Sequence, residues 1–113
     1  MLDLYGIPNC DTVRKARKWL QVHNINYNFH DYKKEGVDAS VLTIWAEEVG
    51  WEVLLNRRGT TWRALSENEK ADVDRVKAIH LMCEHPSLIK RPVLVLSGRI
   101  EVGFSEKQYQ ALL

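Results

Sequence analysis

The sequence predicts one α/β domain over residues 1–113: a mixed four-stranded sheet made by a βαβ unit and a closing ββα unit, with helices inserted between them. Three observations carry that expectation. A chain of 113 residues falls within the roughly 150 residues typical of one domain. Its opening part reads strand, helix, strand, a pattern that calls for a crossover and parallel pairing. Its closing part opens on the unbroken apolar run Val93-Leu94-Val95-Leu96, turns at Ser97-Gly98 and continues as a further strand, which is a hairpin signal.

Each element has its own local reason. Leu2, Leu4 and Tyr5 form a short strand ended by Gly6 and Pro8. Asp11 or Thr12 opens a helix whose apolar positions Val13, Ala16 and Leu20 recur at helical spacing, with Trp19 flanking the stripe and Asn24 as the stop. Tyr27 to Asp31 alternates as a second strand, and Lys33 to Gly36 reads as a polar loop. Asp38 caps a helix carrying Val41, Leu42, Trp45 and Val49, closed by Gly50. Asn56 to Trp62 is a basic loop. Ser66-Glu67-Asn68-Glu69 is a capping box, expected to open a helix with Val73, Val76, Ile79 and Cys83 toward the core and to end at His85-Pro86. Lys90-Arg91-Pro92 leads into the buried strand Val93–Leu96, followed by a paired strand over Ile100 to Phe104. Ser105 with Gln108 forms a second capping box for a last short helix. This order is the outline of a thioredoxin-like sheet with a helical insertion.

Composition excludes several classes of function. Lys plus Arg number 16 and Asp plus Glu 15, a formal net charge of +1, which argues against binding nucleic acid or membrane through bulk electrostatics. Hydrophobic residues at 45% and charged residues at 27% are values of a folded globular chain and argue against disorder. No charged-then-apolar leader follows Met1, and the longest apolar runs fall far short of the ~20 residues that span a bilayer. Two cysteines do not make a disulfide framework. The expected location is the cytoplasm, with both thiols reduced.

Cys10 is the residue that points to chemistry. It lies between the first strand and the first helix, where unpaired N–H groups and the positive end of the helix dipole favour the thiolate. Arg14, one turn on, adds positive charge. The redox motif of such a position is Cys-x-x-Cys; here it reads Cys10-Asp11-Thr12-Val13, so no second thiol within the motif can resolve an adduct. Cys83, on the expected apolar stripe of its helix, reads as core packing.

The segment Tyr5-Gly6-Ile7-Pro8-Asn9-Cys10-Asp11-Thr12-Val13-Arg14-Lys15-Ala16, the loop from Leu54-Leu55-Asn56 to Trp62, and Lys90-Arg91-Pro92-Val93 resemble the arsenate reductase (ArsC) family. The likeness is greatest to the Spx/YffB branch, and to YffB-type members in particular through Asn56-Arg57-Arg58-Gly59-Thr60-Thr61-Trp62-Arg63. It runs from Leu2 to about Tyr109, with the three motifs in the family's order. The resemblance implies a thioredoxin-like fold, a nucleophile at Cys10 with Asn9 beside it, a site arginine at Arg91, and a cis proline at Pro92. It assigns the loop arginine to Arg58, with Arg57 the less favoured neighbour. Arsenate reductases of this type carry an arginine at the place of Asn56 and another near the end of the last strand, which here reads Val102-Gly103-Phe104.

An oxyanion such as arsenate needs several converging planar donors, so the incomplete arginine set shifts the expectation to another substrate. The resemblance then implies a glutathione-dependent thiol reductase. Cys10, Arg58 and Arg91 are its catalytic residues, and Asn9, Arg14, Pro92 and Arg57 bind substrate. No cofactor or metal is bound; glutathione is the co-substrate, and glutathione or a protein disulfide is the partner. The alternatives are an arsenate reductase, or an Spx-like regulator that binds RNA polymerase and has no enzymatic activity.

Other signals read as structure. His80, Cys83 and Glu84 share a helical turn but lack a further ligand for zinc. His30 ends a strand. Arg14, Lys15, Arg17 and Lys18 make a basic helix face of the kind usually left to solvent. Trp51 and Trp62 flank the basic loop, where they could wall a pocket, but core packing is the favoured reading.

Overall fold

A computed structural model describes residues 2–113. The chain forms two compact units, one from the segments up to Asp31 and from Arg91 onward, the other from Tyr32–Lys90.

The first unit carries the sheet. Strand β1 (Leu2–Gly6) lies inside it, in the order β2-β1-β3-β4 with β2 (Asn28–Asp31), β3 (Val93–Leu96) and β4 (Arg99–Val102). β1 pairs parallel with β2, which requires a crossover, and helix α1 (Asp11–Val22) supplies it. β1 pairs antiparallel with β3, and β3 with β4. The mixed sheet, with thioredoxin-like connectivity, is the one expected. Leu2, Leu4 and Gly6 are buried while Asp3 and Tyr5 alternate with them on the other face. Leu2 and Leu4 pack with Ala16, Trp19 and Leu20 of α1, Leu94 of β3, and Tyr109 of the last helix, α8 (Glu106–Leu112). Trp19 is therefore core and not a flank. The β3–β4 hairpin turns through Ser97 (φ 47°) and Gly98 (φ 82°), the pair of left-handed residues that matches strand twist in a two-residue loop.

The second unit is helical. α2 (Tyr32–Glu35) is followed by α3 (Ala39–Val49), α4 (Trp51–Leu54), α5 (Thr60–Ala64), α6 (Glu67–Lys70), α7 (Arg75–Glu84) and a 3-10 turn over Pro86–Leu88. Leu42, Trp45, Leu54, Leu81, Met82 and Leu88 are among its buried side chains.

Several boundaries differ from expectation, each for a local reason. Residues 33–36 do not form a loop: Tyr32 is buried, donates its hydroxyl to the Lys90 carbonyl at 3.3 Å, and starts a one-turn helix that Gly36 ends at φ 71°. The basic loop is shorter than expected because α5 already begins at Thr60. The Ser66–Glu69 capping box is present but opens only α6. The chain then turns at Asp72 (φ 49°), and Asp74 caps α7 by accepting from the Lys77 amide at 2.9 Å. Starting there, α7 buries Ala78, Leu81 and Met82 and leaves Val76 72% exposed, so the expected stripe is rotated. Val73 precedes the helix, and Cys83 is half-buried. Asp38 sits at the N-cap of α3 without a side-chain capping bond. β2 omits Tyr27, and β4 stops at Val102 because Gly103 turns the chain at φ 83°. At Ser105 only half a capping box forms: its Oγ accepts from the Gln108 amide, while the Gln108 side chain reaches the Val102 carbonyl.

Candidate functional site

β1 ends at Gly6, and its antiparallel partner β3 begins at Val93 opposite Tyr5. The loop into α1 and the segment entering β3 therefore leave the same end of the sheet. That end holds Cys10 and Asn9 on one segment, and Arg91 and Pro92 on the other. The Arg91–Pro92 peptide is cis, as the resemblance implied, and the buried Pro92 accepts the Gly103 amide through its carbonyl at 2.8 Å. Arg91 is half-buried.

Cys10 is the N-cap residue of α1, in extended conformation (φ −127°, ψ 128°), and its carbonyl accepts the Arg14 amide at 2.9 Å. Its thiol makes no capping hydrogen bond, so the sulfur is half-buried at a helix start without being used to satisfy it. Close packing holds this start in place. A Cβ on Gly6 would lie 2.8 Å from Val13 Cγ2, and Val13 is fully buried. Val13, which stands where a resolving cysteine would be, thus locks the first turn of α1 onto the end of β1.

Arg14 is more engaged than the sequence led us to expect. Its guanidinium donates to Asn9 Oδ1 at 3.0 Å and pairs with the Asp11 carboxylate, bracketing Cys10 in sequence on both sides. Its charge is therefore offset by Asp11 and is not directed at Cys10 alone. The three-residue spacing from Asp11 to Arg14 is a helical ion-pair signal that reveals this partner in the sequence.

The inserted unit holds the other two arginines. Asn56 Oδ1 accepts the Arg58 amide at 3.0 Å, and the Arg58 carbonyl accepts Arg63 Nη2 at 2.6 Å. The loop is tied down by Asn56 N–H to the Leu88 carbonyl (2.7 Å) and Lys90 N–H to the Leu54 carbonyl (2.8 Å). Arg57 lies 5.4 Å from the Trp51 ring and 5.9 Å from that of Trp62, within cation–π range of both. Neither indole is in the core as expected; both are half-buried, and they hold Arg57. Arg57, Arg58, Lys90, Glu52 and Leu55 line a cleft of about 340 Å3, in which three cations face one carboxylate. Arg63 is the residue that sequence reasoning missed here; for the two indoles it admits pocket walls but prefers core packing. The structure thus gathers Cys10, Asn9, Arg14, Arg91 and Pro92 in the sheet unit, and Arg57 with Arg58 in the helical unit.

The remaining titratable groups have structural surroundings. His30 stacks on Tyr5 at 4.3 Å and bonds Asp3 at 2.9 Å, as expected of a structural histidine. Burial, reinforced by Asp38, pushes the Cys83 thiol up from its ordinary value. His80 pairs with Glu84 along its own helix, and no group of three metal-ligating side chains is found among the described residues. No helix of the described residues is long and apolar enough to cross a membrane.

The model of the ArsC family matches residues 5–112. The chain belongs to the ArsC family. Among solved structures it is similar to a protein named YffB, with 54% identity, 98% of this chain and 97% of that one covered, and a TM-score of 0.96. An arsenate reductase (ArsC) related protein from Brucella melitensis is 53% identical over 97% of this chain and 92% of its own, with a TM-score of 0.78. The global transcriptional regulator Spx 1 of Lactococcus lactis subsp. lactis is 30% identical over the whole of this chain and 89% of its own. The family match spans both the sheet unit and the insertion.

Proposed function

We propose that this ArsC-family chain is a monothiol thiol–disulfide oxidoreductase with Cys10 as its nucleophile and glutathione as its co-substrate. The observation that supports this best is the placement of the Cys10 thiol: at the start of α1, free of any capping bond, with the buried Val13 where a second thiol would stand. A Cys10 thiolate attacks one sulfur of a glutathione mixed disulfide, forming the Cys10–glutathione disulfide as the substrate thiolate leaves and takes a proton. A second glutathione thiolate then attacks the glutathione sulfur of that adduct, giving oxidised glutathione and returning the Cys10 thiolate. Overall one glutathione thiol is oxidised and its proton ends on the substrate, whose sulfur is reduced; the other glutathione sulfur stays at the disulfide level throughout. Arg91 supports the thiolate from its end of the sheet. Arg58 is assigned to a glutathione carboxylate on the family likeness, with Arg57 as its neighbour. Two free cysteines fit a reducing compartment, the cytoplasm.

Arsenate is disfavoured as substrate. Asn56 spends its side-chain oxygen on the Arg58 amide, and Gly103 sits at φ 83°, a backbone conformation an arginine would adopt only with strain.

The test is a paired assay of glutathione mixed-disulfide reduction and arsenate reduction on the wild type, Arg58→Ala and Arg91→Ala, with mass spectrometry after exposure to oxidised glutathione. The adduct is expected on Cys10. Each alanine variant is expected to lose about 1.5–3 kcal/mol of substrate interaction, roughly ten- to a hundred-fold in affinity, with Lys restoring only part because it lacks the planar fork. Efficient arsenate turnover, or wild-type thiol exchange in both variants, overturns the arginine assignment. The 30% identity to a transcriptional regulator favours a second reading, an Spx-like protein that binds RNA polymerase. Capture of the polymerase α subunit by the purified chain, without thiol reductase activity, selects it.

A further inference from the structure

Helix α1 carries a cationic groove for which the thiol chemistry has no use. Arg14, Arg17, Lys18, Gln21 and Tyr27 line about 430 Å3 along its outer face, with no carboxylate among these described lining residues. Arg14 is matched by Asp11, but Arg17 and Lys18 have no acidic partner among the described residues. Arg17 is also held in one position. Its Nε donates to the Tyr27 hydroxyl at 3.0 Å, and its guanidinium carbon lies 4.2 Å from the centre of the Phe29 ring. The Nη1 and Nη2 groups are left for an outside acceptor, so the side-chain entropy of Arg17 is already spent before a ligand arrives.

We infer that this groove docks an acidic segment of a protein partner, whose carboxylates pair with Arg17 and Lys18. Charge complementarity commits it to carboxylates on a short peptide stretch. Arg14 to Gln21 spans about 10 Å of helix axis, the reach of roughly three extended residues. Two unmatched cations on a chain of net charge +1 suit two or three carboxylates, not the dense phosphates of a nucleic acid. The groove begins one turn after Cys10, so a segment seated in it selects disulfides by the acidity of their flanks; this consequence alone rests on the reading of Cys10 above.

Fluorescence anisotropy with a labelled, cysteine-free peptide of three consecutive glutamates tests the docking without any thiol reaction. The wild type is expected to bind it, to lose about tenfold in affinity on Lys18→Glu and several-fold on Arg17→Gln, and to lose most binding at about 0.5 M salt, where exposed charges are screened. Lys107→Glu, the same charge change on α8, is expected to move the affinity less than about twofold. Equal binding of the glutamine version of the peptide overturns the inference. So does an equal loss from Lys107→Glu, or tighter binding of a DNA oligonucleotide through Arg17 and Lys18. In a second arm, reduction of glutathionylated peptides with acidic and with neutral flanks is compared. A preference for acidic flanks that Lys18→Glu abolishes supports both readings. Docking without any reduction supports the groove and overturns the role of Cys10.

Discussion

Gly6 shows how one missing side chain fixes the start of a helix. The absent Cβ lets Val13 close onto the end of β1, and that contact sets the start of α1 where Cys10 stands. Gly6→Ala puts a methyl group 2.8 Å from Val13 Cγ2 in a filled core, so one of the two segments must move. The expected cost is about 1–3 kcal/mol of stability, read as a lower melting temperature, together with an altered rate of Cys10 alkylation. An unchanged melt rejects the packing argument. The two cysteines are expected to separate chemically. Cys83 has its thiol pushed up by burial, so below the ordinary thiol range it holds less thiolate than in an unfolded chain. Alkylation followed by mass spectrometry is expected to label Cys83 more slowly in the folded protein than in denaturant throughout that range; equal rates contradict the cause assigned.

Among the elements, caps decide more than stripes do. The capping box at Ser66 organises a single turn, yet that turn carries its own pH signature. The backbone N–H of Ser66, and then its hydroxyl, hold the Glu69 carboxyl below its usual range. A lowered pKa in the folded state means that the box contributes stability above the ordinary glutamate value and loses it as pH falls through the lowered one. An NMR titration of the Ser66 amide is expected to show its midpoint below the ordinary value of about 4.3. A midpoint at or above that value contradicts the box. Asp74, which restarts the helix after Asp72, is the reason that Val76 points outward and Leu81 inward.

For the whole molecule, the sheet unit owes its cohesion to one buried cluster in which Tyr109 meets Trp19 and Phe104 edge-to-face. The Tyr109 hydroxyl is buried there without a hydrogen-bond partner among the described residues, and burial, with Glu101 adding to it, raises its pKa. Removing a buried unsatisfied polar group while keeping the ring is expected to help. Tyr109→Phe should raise the stability by about 1 kcal/mol, measured by thermal or denaturant unfolding. A loss of that size shows that the hydroxyl is satisfied in solution.

The sheet, its hairpin, the long helices α1 and α3, and the position of Cys10 at a helix start are legible in the residues alone. Those features follow from strand alternation, glycine turns and capping residues, which act over a few neighbouring positions. ArsC-type motifs also made Arg91, Pro92 and the basic loop legible. Tertiary structure alone decided the one-turn helices α2, α4 and α5, the register of α7, and the clasp of Trp51 and Trp62 on Arg57. A single turn lacks the hydrogen bonds to offset its own nucleation, so distant partners decide whether it forms. Tyr32 reaches Lys90 across 58 positions, and Asn56 is held by Leu88. Contacts of that separation leave no periodic trace in the chain, which is why the ends of the insertion became readable only once it was folded.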